Sequence, residues 1–397
     1  MPACDPEKFV NRKKEIALVQ RIISELASGR PFDPPERVFH FVGPSGIGKS
    51  CLLEICHQLA VQISNCIPIF IEFDDLRKSR GEFVENFLLR VDEQFSRYMK
   101  IQVQTKNGKT KSKYGSDLNL KIKRRGEGRI VVLFLDEINV VEKEKLNEIE
   151  EYLLDRLLHD NKFGVIITAG RIPPMFNTFD LRANPNNTFL LPVFDGETIG
   201  KQLEALRLGS APVAEKVIEL GGGVPGHTTK LAVHIVDGPP PQISNELQAV
   251  QSLLTDVKSD IEERFCFILE AICALQAFFP EDTVPLLRCH PVLGEGWDEI
   301  RIKALFPELR QVQIGPGGLI NWDRERKSWA MDEPTRALFE RELQMRDPEL
   351  WRKLHCTAYR TYKRWGEEFN SEPFRDKAAY HQERLQSAGM DCEGLED

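Results

Sequence analysis

Gly43-Pro44-Ser45-Gly46-Ile47-Gly48-Lys49-Ser50 puts three glycines, an ammonium group and two hydroxyls within eight residues. That combination suits a phosphate. Glycines let backbone N–H groups wrap closely around phosphate oxygens, and the positive end of a following helix faces the anion. The backbone from Gly43 to Cys51 would form the cradle, Lys49 would neutralise β- and γ-phosphate charge, and the Ser50 hydroxyl would ligate Mg²⁺. The alternative is a Gly-rich turn with no ligand, but the pattern G-x-x-x-x-G-K-[ST] stands here between a strand-like and a helix-like run. A second group closes the apolar stretch Arg129-Ile-Val-Val-Leu-Phe-Leu-Asp136-Glu137 with two carboxylates. Asp136 would hold Mg²⁺ through water, and Glu137 would orient or deprotonate an attacking water. Read alone, the two acids could equally open a loop.

These groups need a scaffold. Asn11 can cap a helix whose apolar residues Ile16, Val19, Ile22, Ile23 and Leu26 share a face, ended by Gly29 and Pro31. Residues 37–42 read as a buried strand and 50–63 as a helix. Further strands are expected at 67–73, 130–135, 164–168 and 188–191, with helices at 82–98 and 142–159. This alternation predicts an α/β fold with a mainly parallel sheet covered on both faces, its ligands at the carboxyl ends of the strands. The loops after Val42, Leu135 and Thr168 should then hold the site.

Composition narrows the class. The 397 residues are 41% apolar and 29% charged, which excludes one small domain and a disordered or fibrous chain. A formal charge of −8 argues against a surface given over to nucleic acid. No signal core and no apolar run of membrane-spanning length are present, so a cytoplasmic protein is expected. The nine cysteines are scattered without a C-x-x-C pair, and reduced, mostly buried thiols are expected rather than a disulfide framework or thiolate zinc site. The eight histidines form no ligand grouping, so no transition metal is expected.

An ordered series of segments then carries a resemblance: Phe9-Val10-Asn11-Arg12-Lys-Lys-Glu15, the Gly43–Ser50 loop, the strand ending Asp136-Glu137, Ile166-Ile-Thr-Ala-Gly-Arg171 and Gly221-Gly-Gly-Val-Pro225-Gly. Over about residues 8–365 the chain resembles the STAND class of signal-transducing ATPases, AAA+ relatives that include apoptosome, plant resistance (NB-ARC) and bacterial antiphage proteins. The resemblance implies a P-loop core at 1–194, a helical lid at 195–238, a winged-helix domain at 239–345 and a helical segment with an acidic tail at 346–397. It also implies ATP or ADP with Mg²⁺ as cofactors. Val10 and Arg12 would approach adenine or ribose, Pro225 would pack on the base from the lid, and Arg171 would read the γ-phosphate as a sensor. Each has a simpler alternative: Arg12 as a solvated first-turn residue, Pro225 as a helix N1 residue, Arg171 as a loop cation. In many relatives a histidine after the wing latches ADP. Here Met331-Asp332-Glu333-Pro334-Thr335-Arg336 stands instead, with Asp332 able to cap a helix, so the latch is either absent or made by Arg336.

Residues 319–322 and 328–331 flank a polar turn and read as a β-hairpin, which with helices at 246–277 and 297–305 suggests the winged helix. Winged helices also bind DNA. Between Lys100 and Arg129 ten Lys/Arg stand against Asp117 and Glu127, a net of +8 that leaves −16 for the rest. This segment is expected to be a mobile loop able to meet phosphates or an acidic partner, or simply a solvated disordered one. Trp351, Leu354, Ala358, Tyr362 and Trp365 recur at helical spacing, as core or as a docking face. The reading is an ATP-binding, slowly hydrolysing switch that changes conformation or assembles to signal to an effector or sensor on another chain, in antiviral or stress defence. The alternative is an AAA+ DNA-remodelling or loading factor using the basic loop 106–125 and the wing.

Overall fold

In the run Val38–Val42, β-branched and aromatic residues flank His40, and every position is buried. Such runs form central strands of parallel sheets, apolar on both faces. The computed structural model describes residues 11–393 except 31, 44–45, 80–81, 101–110, 127, 161–163, 171–172, 209–210, 237–242, 259–260, 312, 315–316 and 324–326. The chain divides into two compact units, Met1–Val193 and Phe194–Asp397.

The first unit runs α1 (Lys13–Ala27), β1 (Val38–Val42), α2 (Lys49–Val61), β2 (Cys66–Glu72), α3 (Phe73–Lys78), α4 (Phe83–Met99), α5 (Lys111–Arg125), β3 (Ile130–Asp136), α6 (Lys143–Ile149), α7 (Asp155–Asp160), β4 (Gly164–Gly170) and β5 (Thr188–Leu190). The strands form one sheet in the order β2-β3-β4-β1-β5, all pairs parallel. Successive side chains alternate between faces. Val131, Leu133 and Leu135 join Phe87, Val91 and Leu118 in one core, whereas Ile130, Val132 and Phe134 join Ile22, Ile23 and Leu52 in the other. Each such side chain contributes on the order of 1.5–3 kcal/mol by leaving water.

Several expectations need correction. Arg12 rather than Asn11 is the N-cap of α1, with φ of 62° and no side-chain cap bond; Asn11 Oδ1 instead accepts from Arg12 N at 2.8 Å. The expected helix 142–159 is interrupted by a π-helical turn, Glu150–Leu154. The turn buries Glu150, whose carboxylate accepts the N–H groups of Asn177, at 2.9 Å, and Thr178.

The basic segment is corrected most strongly. Residues 111–125 are helix α5, not a loop, and the expected loop residues 106–110 lie outside the described residues. Tyr114, Leu118 and Ile122, spaced by four, face the core at 2% exposure or less. Gly115 makes this docking possible, because a Cβ there would meet Tyr152 Cβ at 2.8 Å. Lys121 is drawn inside: it pairs with Asp92 and donates to Ser96 Oγ at 2.8 Å. Lys113, Lys123, Arg124, Arg125 and Arg129 remain exposed.

The second unit contains α8 (Gly196–Ala205), α9 (Ala211–Gly221), α10 (Pro225–Val236), α11 (Ile243–Lys258), α12 (Glu263–Ile272), α13 (Pro280–Cys289), α14 (Glu299–Gln311), β6 (Gln313–Ile314), β7 (Gly317–Gly318), β8 (Ile320–Asp323), β9 (Ser328–Met331), α15 (Glu333–Arg346), α16 (Pro348–Glu368) and α17 (Glu372–Ser387). The helical stretch expected at 246–277 is two helices, and that expected at 297–305 extends to Gln311. Three helices, α12 to α14, precede the antiparallel hairpin β8–β9, in register Trp322↔Trp329, which is a winged-helix arrangement. On α16, Trp351, Leu354, Ala358 and Tyr362 are at most 2% exposed, so the stripe is core and not a docking face. Tyr362 stacks with Phe374 of α17, a helix the sequence reading leaves inside the acidic tail. Finally, the cysteines are not all thiols: Cys356 is bonded to Cys392, and Cys51 is disulfide-bonded as well.

Candidate active site

The turn after β1 lies at the carboxyl edge of the sheet, where Gly43 N donates to Gly170 O of β4 at 3.2 Å. Gly48 is the N-cap of α2 with φ of 92°, a left-handed conformation that would strain an L side chain by roughly 1–2 kcal/mol. Gly46 is left-handed too. Ile47, fully buried, anchors the turn, and Pro44 and Ser45 lie outside the described residues. The cradle is thus built by two left-handed glycines around one apolar anchor, with the N-terminus of the 13-residue α2 behind it.

Lys49 is 7% exposed, and its Nζ donates to Gly43 O at 2.8 Å across the mouth of the turn. Asp136 ends β3, buried at 2% exposure, and accepts hydrogen bonds from the Ser50 hydroxyl and, at 3.0 Å, from Glu137 N. Burial pushes the Asp136 carboxyl above its ordinary range, against the opposing pull of the Ser50 bond, the Glu137 N–H and the Lys49 charge. The structure therefore brings Lys49, Ser50 and Asp136 together, although β4 separates their strands. Glu137 follows in a left-handed conformation, φ 56°, and is half-buried.

One acid at this edge is missing from the sequence reading. Glu72 closes β2 directly opposite Asp136 in the strand register. Burial, Asp75 and Asp136 push its carboxyl up. The signal was the one that identifies Asp136, an apolar strand finishing on a carboxylate. Glu72, Asp136 and Glu137 concentrate negative charge where a cation would relieve it, and Lys49 offers the matching anion contact. The buried Lys49, the Ser50–Asp136 pair and the Gly48 turn fit a Mg-nucleotide. Ser50 and Asp136 could hold the ion, while Lys49 and the turn hold the phosphates.

The remaining expected residues divide. Arg12 is 2% exposed, not solvated; its Nη2 donates to Ile47 O at 3.2 Å and to Pro192 O at 2.6 Å. Burial lowers its pKa, partly offset by Glu15. Arg12 thereby braces the phosphate turn from behind. Val10 and Arg171 lie outside the described residues. Cys51 stands in the first turn of α2. Pro225, in the second unit, is buried as the first residue of α10, and its carbonyl accepts from Gln202 Nε2 at 3.1 Å. Arg336 is consumed internally: its guanidinium contacts Glu333 at 2.7 Å, Glu340 at 2.6 Å and Cys273 O at 2.9 Å, which leaves it structural and not a latch. Asp332 caps α15, accepting from Thr335 Oγ1 at 2.6 Å.

Among the described residues no helix is long and apolar enough to cross a membrane. No protein-family profile matches the sequence, and no curated protein matches it. Solved structures do. Cdc6p from Pyrobaculum aerophilum is 11% identical with a TM-score of 0.43, covering 87% of this chain and 97% of that one. The Orc1 protein of Aeropyrum pernix, solved in complex with DNA, is 15% identical with a TM-score of 0.42, covering 86% and 94%. A Walker-type ATPase of Pyrococcus abyssi is 16% identical with a TM-score of 0.56, over 85% of this chain and 98% of that one, and with it this chain shares the fold of a P-loop ATPase.

Proposed function

We propose that the chain is a Mg²⁺-dependent ATPase that works as a nucleotide-controlled switch. The observation that carries this reading is the bond between Ser50 and Asp136 beside the buried Lys49. It joins the two halves of a nucleotide site from sequence positions 86 residues apart. Ser50 and Asp136 would hold Mg²⁺, which would supply neutralisation of the phosphate charge. Lys49 adds its ammonium to the same charge, and the α2 N–H groups hold the phosphates without reading the base. Glu137 accepts a proton from the attacking water, and Glu72 keeps the strand edge negative. The STAND resemblance supports adenine as the base, slow turnover and an output delivered to a partner chain.

Titration calorimetry with Mg·ATP tests the site. Wild type gives heat, Lys49→Ala gives none, and Glu137→Gln binds but releases no phosphate. No heat from correctly folded wild type refutes the reading. DNA remodelling is the second reading, favoured by the exposed Lys123, Arg124 and Arg125 at the end of α5. A salt-dependent gel shift lost in Lys123→Ala/Arg124→Ala/Arg125→Ala would select it over signalling.

A further inference from the structure

Between α13 and α16 in the second unit lies a groove of about 900 Å³. Arg288 from α13 and Lys353, Arg360 and Arg364 from α16 line it, against the single carboxylate Glu295. The α16 residues recur at spacings of seven and four, so one helix face presents all three charges to the groove. Arg288, Lys353 and Arg364 are exposed. None of this belongs to the nucleotide site, which lies in the first unit.

The rim of the groove already carries an acidic segment, residues 391–393. Cys356, a lining residue, is bonded to Cys392. Arg360, another, donates to Cys392 O at 3.0 Å. One turn before Cys356, Arg352 donates to Asp391 O at 2.7 Å, to Glu393 O at 2.6 Å and to Asp391 Oδ1 at 3.5 Å. The guanidinium groups thus read backbone carbonyls and a carboxylate together, a contact pattern that an acidic polypeptide offers and a phosphodiester chain does not.

We propose that the α13–α16 groove is a docking site for an acidic polypeptide segment of a partner protein, and that residues 391–393 guard its rim under redox control. While Cys392 is bonded to Cys356, the guard is intramolecular and its effective concentration is high. A dithiol reductant opens it: one thiolate attacks the Cys356–Cys392 disulfide, and the second thiol displaces the mixed disulfide. Two electrons pass to the protein sulfurs, each of which takes a proton, and the dithiol becomes a disulfide. The segment then holds by hydrogen bonds and charge alone, and a stronger acidic segment displaces it.

The test uses the full chain and a short fluorescent Asp/Glu peptide followed by anisotropy. Cys392→Ser, which leaves the Cys51 disulfide intact, should bind the peptide about tenfold more tightly than oxidised wild type. Dithiol treatment should bring wild type to the Cys392→Ser level and leave Cys392→Ser unchanged. Binding should weaken steeply as salt rises from about 0.05 to 0.5 M and disappear when Arg360→Glu/Arg364→Glu is added. If that double variant melts early, the exposed Lys353→Glu serves in its place, with weakened binding expected. Equal peptide affinity in oxidised wild type and Cys392→Ser, or full binding after charge reversal, overturns the proposal. So does displacement of the peptide by a DNA oligonucleotide of equal charge at lower concentration, which would assign the groove to nucleic acid.

Discussion

Replacing Lys121 by alanine should destabilise the first unit's core without touching a ligand site. The Lys121 side chain is 9% exposed and its partner Asp92 is 0% exposed. Asp92 also accepts from Ser96 Oγ at 3.0 Å and from Tyr114 OH at 3.0 Å. Removing the ammonium takes the Lys121 charge away from a buried carboxylate, a change that costs about 3–5 kcal/mol when one partner of a buried pair is lost. For a unit of this size that lowers the thermal midpoint by roughly 6–20 °C. Lys123→Ala, Arg124→Ala and Arg125→Ala sit on the exposed side of the same helix and should each stay within about 0.5 kcal/mol of wild type. Adding Asp92→Asn to Lys121→Met should recover most of the loss, because the amide removes the buried charge, its oxygen accepting from the Ser96 hydroxyl and its NH2 donating to the Tyr114 hydroxyl oxygen. Calorimetric melts and urea titrations of these variants provide the measurement. A Lys121→Ala midpoint within about 1 °C of wild type would show that α5 is not docked, and the loop reading of the basic segment would return.

Three further outcomes follow from the same geometry. Asp136→Asn should abolish Mg-dependent turnover yet stabilise the ligand-free protein at neutral pH. Because burial raises the Asp136 carboxyl, the folded state holds that proton more tightly than the unfolded chain; stability from this group is present at low pH and is lost as pH rises through the folded-state pKa. The variant should therefore show a flatter stability–pH profile on the alkaline side of the ordinary carboxylate range, and an unchanged slope would contradict the assignment. Gly48→Ala should lose roughly 1–2 kcal/mol from left-handed strain and weaken Mg·ATP heat, whereas calorimetry indistinguishable from wild type would mean the turn relaxes freely. Arg336→Ala should cost about 1–3 kcal/mol in urea unfolding of the second unit, because it removes one guanidinium partner of the buried Glu340 and leaves Arg384 as the other, with nucleotide affinity unchanged; a selective loss of ADP affinity would restore the latch.

The sequence by itself determined the strands and the phosphate turn, because both are local. An apolar run buried on both faces reads as a strand wherever it sits, and the Gly43–Ser50 spacing needs only its own backbone to form a cradle. It also offered, unread, the four-residue spacing of Tyr114, Leu118 and Ile122, which the dense positive charge around them obscured. Tertiary structure decided what depends on distant partners. Whether Lys121 meets solvent or Asp92, whether Arg12 faces water or the carbonyl of Ile47, and which cysteines come within bonding reach are set by how helices dock on the sheet and on one another. The strand order, with β4 between β1 and β3, likewise decides that Ser50 reaches Asp136 and that Glu72 stands beside it. Charge and side-chain chemistry are written residue by residue, but burial is a property of the packed whole, and in this chain burial determines which of its charges are available for function.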